Sequence, residues 1–248
     1  MFFGVGSSPA RWLDFLFPPS CHLCRSPLQR GRYLCLPCRD SLPRVSSPLC
    51  LQCGFPFDGT QPDPTSCPNC EDRSFAFDFA RATLLARDGA RELVHSFKYE
   101  RRLHLHHELA SLVAEALDDE RLSSDTNTEW TVVPVPLHWR RQQWRWFNQA
   151  REIAKTLAHL RALPIHDALR RSRFTTQQTL LNRKQRLQNL HGAFQLTRRE
   201  KRHHFLRGKA VFLVDDVFTT GSTAHECARV LKEEAGAEKV VVLTALRG

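Results

Sequence analysis

Within Ala210 to Glu226, AVFLVDDVFTTGSTAHE, two adjacent carboxylates precede four hydroxyl residues and a glycine. The first N–H groups of a helix have no intrahelical partner and bind anions. The amides of Thr219 to Thr223 and the hydroxyls of Thr219, Thr220, Ser222 and Thr223 can therefore surround a phosphate, and Gly221 lets the main chain come close. A carboxylate pair repels such a phosphate unless it meets hydroxyls or a cation. Asp215 and Asp216 are accordingly expected to face a sugar diol with Mg²⁺ nearby, so that the stretch describes a cradle for ribose 5-phosphate. A helix cap would use one carboxylate, not two with four hydroxyls. The run is neither a Walker A loop, which needs Gly-Lys-Ser/Thr, nor a GxGxxG dinucleotide turn.

The second set that can do chemistry is eight cysteines in four CxxC pairs: Cys21/Cys24, Cys35/Cys38, Cys50/Cys53 and Cys67/Cys70. Each pair seats two thiolates on one metal through a tight knuckle, and eight thiolates make two tetrahedral Zn²⁺ sites. Joining the first pair to the second and the third to the fourth is the simpler assignment, and an interleaved one stays open. Iron–sulfur ligation is the weaker alternative, and disulfides weaker still in a chain without a secretion signal. Residues 18 to 75 are rich in Pro, Ser and Arg and poor in large apolar side chains. Backbone ordering costs about 1–2 kcal/mol per residue, whereas one structural zinc contributes roughly 10–16 kcal/mol in small peptides. Metal is thus expected to decide whether this region folds. Cys227, the ninth cysteine, falls on the apolar side of a helix and reads as a buried small hydrophobe.

The elements that position these groups follow from periodicity. Val211 to Val214 form an apolar, β-branched run typical of a strand buried on both faces. Ala224, Cys227, Ala228, Val230, Leu231 and Ala235 then recur at three- and four-residue steps, with Gly236 as a stop. The chain from Asp215 to Thr223 is expected to link strand to helix. Phe75 to Arg87 reads as a strand, with Asp88 capping a helix over GARELVHSF, and a second helical run ends near Ala116. His104, His106 and His107 have no metal spacing and read as partly exposed helix residues. Residues 120 to 129 form a polar linker. Thr131 to Val135 make a strand, and Ala150, Ile153, Ala154, Leu157 and Leu160 mark one face of the helix after it. Val240 to Leu246 is the closing strand.

The 248 residues allow one ordinary domain and a small one. No stretch approaches the ~20 apolar residues that cross a bilayer. Trp12, Leu13, Phe15, Leu16 and Phe17 suit an amphipathic segment rather than a signal peptide, so the expected location is cytoplasmic, with a peripheral position at the inner membrane open. Net charge is +10, and Arg170 to Lys209 hold twelve Lys or Arg against the single acid Glu200. That stripe suits polyanions, single-stranded DNA included. Residues 1 to 70 carry six Arg and four Asp, a small positive balance that two dianionic Zn(Cys)₄ centres would reverse. The zinc module is therefore not expected to be the polyanion-binding face. Trp139, Trp144, Trp146 and Phe147 alternate with Arg140, Arg141 and Arg145, a pattern that can stack on bases or pack a loop. From Arg170 the polar, basic run suits a lid over a phosphorylated substrate.

VFLVDDVFTTGST resembles the phosphoribosyl-pyrophosphate (PRPP) signature of type I phosphoribosyltransferases. Further stretches extend the likeness in order along the chain: the four CxxC pairs, FKY around Lys98, VPVPL followed by Arg140, Arg145 and FNQA, and Thr175, Gln178, Leu181, Arg186 and Asn189 before Ala193 and Phe194. Together they resemble the ComF family, also called GntX. The resemblance implies a segment over residues 1–17, a double zinc ribbon over 18–74 and a phosphoribosyltransferase-like domain over 75–248, with an α/β fold and a mostly parallel sheet flanked by helices. It implies proteins linked to natural competence and to the use of imported DNA, and partners in the uptake machinery. On this reading Asp215 and Asp216 hold the ribose hydroxyls and Thr219 to Thr223 the 5-phosphate. Lys98, Arg140 and Arg145 neutralise pyrophosphate with Mg²⁺, in a transferase or in a PRPP-responsive or DNA-binding accessory protein without turnover. Two positions depart from the family pattern, since Trp146 and Arg101 stand where glycines are usual.

Overall fold

The computed structural model describes residues 18–57, 67–71, 73–123, 128–137, 147–173 and 190–248. The chain divides into two compact units, residues 1–42 and 43–248. In the smaller, a bridge between Ser20 and Pro27 closes the first knuckle. Helix α1 (Leu36–Asp40) follows, with proline in its first turn, where a missing N–H costs nothing. Among the described residues of this unit, Leu34 and Leu42 are the buried aliphatic ones, a small apolar core that agrees with organisation by cysteines.

The larger unit is built on a four-stranded, all-parallel sheet in the order β1-β6-β5-β2: β1 (Phe79–Leu85), β6 (Lys239–Arg247), β5 (Ala210–Phe218) and β2 (Trp130–Pro134). Val211, Leu213, Val214 and Val240 to Leu243 are buried, as strands covered on both faces must be. Between β1 and β2 run α2 (Asp88–Tyr99), α3 (His106–Glu115) and the short α4 (Glu120–Ser123). Helix α5 (Gln149–Leu160) packs on β2, β5 and α3. A two-stranded antiparallel flap, β3 (Leu169–Arg171) with β4 (Phe194–Leu196), leads through α6 (Arg198–His203) into β5. Helix α7 (Ser222–Glu233) then packs against β4, β5 and β6. This is the expected α/β architecture with a mostly parallel, helix-flanked sheet and a cysteine-rich start.

Local differences from the sequence reading have identifiable causes. Strand β5 does not stop at Val214 but carries the aspartate pair within it to Phe218. Pairing with β6 continues to Phe218 opposite Arg247, and the Gly248 N–H donates to the Phe218 carbonyl at 2.9 Å. The link to α7 is therefore shorter than Asp215 to Thr223. Strand β1 begins at Phe79 rather than Phe75. The Asp78 carboxylate accepts the Val240 N–H at 2.7 Å and meets Lys232 at 2.8 Å, while Phe75 stacks on Phe77 with centroids 4.7 Å apart. Asp88 does not cap α2: Arg87 holds the cap position without a side-chain bond, and Asp88 takes φ 46°. Leu160 is 52% exposed at the end of α5, and Ala158 takes the buried place.

Arg101 adopts φ 57° after α2, the left-handed backbone that glycine favours, occupied here by an L-residue at a cost of about 1–2 kcal/mol. The Arg101→Gly variant is expected to melt at the wild-type temperature or a few degrees above it, because relief of that strain exceeds the ~0.5–1 kcal/mol of added unfolded-state entropy. A fall in melting temperature would contradict this.

Candidate functional site

The parallel strands end on a cleft of about 470 Å³. Its walls include Lys98 at the end of α2, Val135 to Leu137 after β2, Asn148 and Gln149 at the start of α5, Arg171 on β3, and the continuous run from Asp215 to Ala224. Open parallel sheets present ligands there, beyond the carboxyl ends of the strands.

Gly221 has φ 79° and precedes α7. A Cβ at this position would lie 2.8 Å from Phe218 and 2.9 Å from Phe75, so the turn tolerates no side chain. His225 donates the first backbone bond of the helix to the Gly221 carbonyl at 2.8 Å; the amides ahead of it belong to the set that a helix start leaves for other partners. The Thr220 and Ser222 hydroxyls lie 3.0 Å apart. Arg73 donates to the Thr220 carbonyl at 3.3 Å, and the Ala76 N–H donates to His225 Nδ1 at 3.0 Å. That bond requires an unprotonated Nδ1, and burial holds His225 below the ordinary histidine range.

The two aspartates differ in surroundings. Asp216 is buried and pairs with Lys98 Nζ at 2.7 Å. Asp215 Oδ1 accepts the Asp216 N–H at 2.8 Å. Burial and then the Asp216 charge push the Asp215 carboxyl up to about 7, against the opposing pull of Lys98, the Asp216 amide and Arg171. Near neutral pH this carboxyl is thus poised between its two protonation states.

Of the residues assigned to the site from sequence, the structure brings together Asp215, Asp216, Thr219, Thr220, Gly221, Ser222, Thr223 and Lys98. Arg140, Arg145 and the aromatic–arginine run through Trp146 lie outside the described residues, as do Thr175 to Asn189. Arg171, Tyr99 and Thr244 line the cleft without having been singled out. For Arg171 a signal existed: Leu169 is buried in the same three-residue strand, and period-two alternation places Arg171 on its side. Asn148 donates to the Val135 carbonyl at 3.0 Å, tying α5 to the exit of β2.

The cysteines gather as two sets of four, Cys21/Cys24/Cys35/Cys38 and Cys50/Cys53/Cys67/Cys70, with their sulfurs within 4.8 Å of one another. Pairing is therefore sequential rather than interleaved. Sulfur separations of 3.6 Å recur for Cys24–Cys35, Cys50–Cys70 and Cys53–Cys67, and a Zn–S length of about 2.3 Å implies a tetrahedron edge of roughly 3.8 Å. All are free thiols. In the second set, burial and then neighbouring thiol charge push Cys67 up to about 11 and Cys70 higher still, repulsion that a dication relieves. Two structural zinc sites fit these residues. Cys227 is buried, as expected of a packing cysteine.

An α/β protein with a double zinc ribbon and a strand-end cleft is thereby defined. A family model described as a double zinc ribbon domain matches residues 12–71. The chain is 33% identical over 224 residues to DNA utilization protein YhgH of Salmonella typhi, covering 89% of this chain and 93% of that one. It is 29% identical over 223 residues to Competence protein F of Haemophilus influenzae, with 85% and 95% covered, and 26% identical over 226 residues to Competence protein ComFC of Bacillus subtilis, with 89% and 86% covered. The chain belongs to the ComF family.

Two expectations follow. Elemental analysis of purified protein should return close to two zinc per chain, with one per chain in Cys67→Ser; one zinc or none in the wild type would overturn the assignment of two sites. For Asp215, the folded-state value near 7 exceeds the unfolded value near 4, so the folded state holds a proton that the unfolded state has lost between those limits. Its stability contribution therefore falls as pH rises through about 7. In Mg²⁺-free buffer Asp215→Asn should melt above wild type at pH 8, with the gap narrowing toward pH 6; equal melting at both would refute the buried-charge assignment.

Proposed function

We propose that the cleft binds PRPP with Mg²⁺ and that the protein serves bacterial uptake and use of DNA. The observation that carries this reading is one continuous segment, Asp215 to Thr223, in which a carboxylate pair and a hydroxyl-rich helix start line the same cleft. The relatives' names, competence and DNA utilization proteins, support the cellular setting. Asp215 and Asp216 accept hydrogen bonds from the ribose hydroxyls, and Thr219 to Thr223 hold the 5-phosphate through amides and hydroxyls. Lys98, already at Asp216, and Arg171 add positive charge within reach of the pyrophosphate, with Arg140 and Arg145 as further donors. Mg²⁺, when bound, neutralises the diphosphate charge. In a phosphoribosyl transfer the C1–O bond to pyrophosphate breaks, its electron pair leaving with the pyrophosphate, and the acceptor attacks an oxocarbenium-like C1.

A second reading keeps the pocket without turnover, as a PRPP-responsive protein that binds single-stranded DNA. It is favoured by α6, RREKRH, whose basic side chains are exposed. Close by, Phe205 is stacked between His166 and His203, with Arg199 over its ring at 5.3 Å. The one acid of that helix, Glu200, is buried and accepts the Leu206 N–H at 3.0 Å, so it leaves the positive face unscreened.

Calorimetry of PRPP with Mg²⁺ is expected to show binding that weakens at least about tenfold in Asp215→Asn/Asp216→Asn, a loss of ~1.4 kcal/mol or more. Affinity should also fall as pH drops through about 7, where Asp215 gains its proton. Undiminished binding in the double variant would overturn the site. Pyrophosphate release in the presence of nucleobases separates transferase from sensor, and single-strand affinity that falls with salt supports the second reading.

A further inference from the structure

The second cysteine set is not a peripheral knuckle. Cys50, Cys53 and Cys67 are part of the same buried core as Phe77, Val211, Phe218 and Cys227. Between this set and the phosphate loop lies Arg247, the last residue of β6, 4% exposed. Its Nη1 donates to the Phe218 carbonyl at 3.3 Å, to the Thr219 carbonyl at 2.8 Å and to the Gly248 carbonyl. Its Nη2 faces Cys53 Sγ at 3.9 Å. The guanidinium also sits over the rings of Phe55, which follows the knuckle, and Phe218, which ends β5, at 5.3 and 5.0 Å.

Among the described residues no aspartate or glutamate pairs with Arg247; its side-chain acceptors are the main-chain oxygens of Phe218, Thr219 and Gly248 and the Cys53 sulfur. One planar guanidinium thus reaches the cysteine knuckle through Nη2 and the end of β5 through Nη1. Sulfurs of a Zn(Cys)₄ centre accept N–H donors, so bound zinc would make the Cys53 sulfur a stronger acceptor for Nη2.

We propose that Arg247 is a positioning residue through which the second zinc centre holds the loop at Thr219 to Thr223. The proposal rests on reading that loop as the phosphate cradle. Zinc bound by Cys50, Cys53, Cys67 and Cys70 keeps the guanidinium in place, and the guanidinium fixes the two carbonyls at which β5 turns toward Gly221. The Phe75, Phe77 and Phe218 rings, the first two stacked and the last two edge-on, place Phe75 and Phe218 where any side chain at Gly221 would lie, which makes the same turn sensitive to small displacements. Loss of the second metal is thus transmitted to the ligand cleft without any change in the residues that touch ligand.

The test is amide hydrogen exchange of peptides covering 218–224 in the full chain, together with the rate of zinc release to a chromogenic chelator. In Arg247→Met with two zincs bound, exchange at 218–224 is expected to rise on the order of tenfold, and one of the two zincs to leave on the order of tenfold faster. Arg247→Lys, which keeps the charge but cannot bridge both sides, should recover zinc retention more than loop protection and serves if the methionine variant does not fold. Arg121→Met cuts a different contact to the same knuckle, the 2.8 Å bond to the Leu51 carbonyl, and should leave 218–224 unchanged. Unaltered exchange in both Arg247 variants, or equal deprotection by Arg121→Met, would overturn the proposal. Failure of the wild type to bind PRPP would instead remove the ligand assignment while leaving this exchange result intact.

Discussion

Two neighbouring carboxylates held in a cleft, one of them paired with an ammonium, are the constraint on which the rest of this structure depends. Lys98 neutralises Asp216 directly, and Asp215 accepts the neighbouring Asp216 amide. Such crowding has a stability cost that a fold retains where the charges have work to do. The architecture around it is organised to sustain that cost. Strand β5 is central in the sheet, paired with β2 from Ala210 to Val214 and with β6 along its whole length, so that it is anchored past the aspartates at Phe218. The turn that follows leaves no room for any side chain at Gly221. A hydroxyl-rich helix start then faces the same space as the acids.

The two zinc sites, alike in sequence, occupy different physical settings. The first lies in the smaller unit, whose described residues bury few aliphatic side chains. The second is inside the core of the larger unit. Its knuckle passes Gly54 close against the Ala80 carbonyl, hydrogen-bonds to β1 through Gln52, and closes on Arg247. One centre makes a small fold feasible, and the other extends the hydrophobic core toward the ligand cleft. Both use the same C-x-x-C geometry, so the distinction arises only from what surrounds each knuckle.

Much of this was legible from residue order, because the relevant physics is local. The hydroxyl and glycine pattern after β5 identifies a helix start and CxxC spacing identifies knuckles, whereas the choice between sequential and interleaved zinc pairing is made only by the folded arrangement of the sulfurs. What the sequence could not convey depends on long-range pairing. The strand period of Ala210 to Phe218 is broken by two acids, so the reading stopped at Val214, whereas pairing with β6 carries the strand four residues further. The closing strand reads only to Leu246 in the sequence, and the packing of Phe55 and Phe218 around the next residue, Arg247, reveals a buried cation. Arg171 was one of many arginines until β3 placed it at the cleft. Leu160 fitted a helical period but fell on the last turn, beyond the surface that α5 buries.

The central claim is that a sugar phosphate occupies the end of β5 and the start of α7. A crystal structure with PRPP and Mg²⁺ tests it most directly. The account predicts density with the 5-phosphate within hydrogen-bond distance of the amides and hydroxyls of Thr219 to Thr223, and the ribose diol on Asp215 and Asp216. Ligand seated on the basic surface of α6, or a cleft left empty at saturating PRPP, would contradict it.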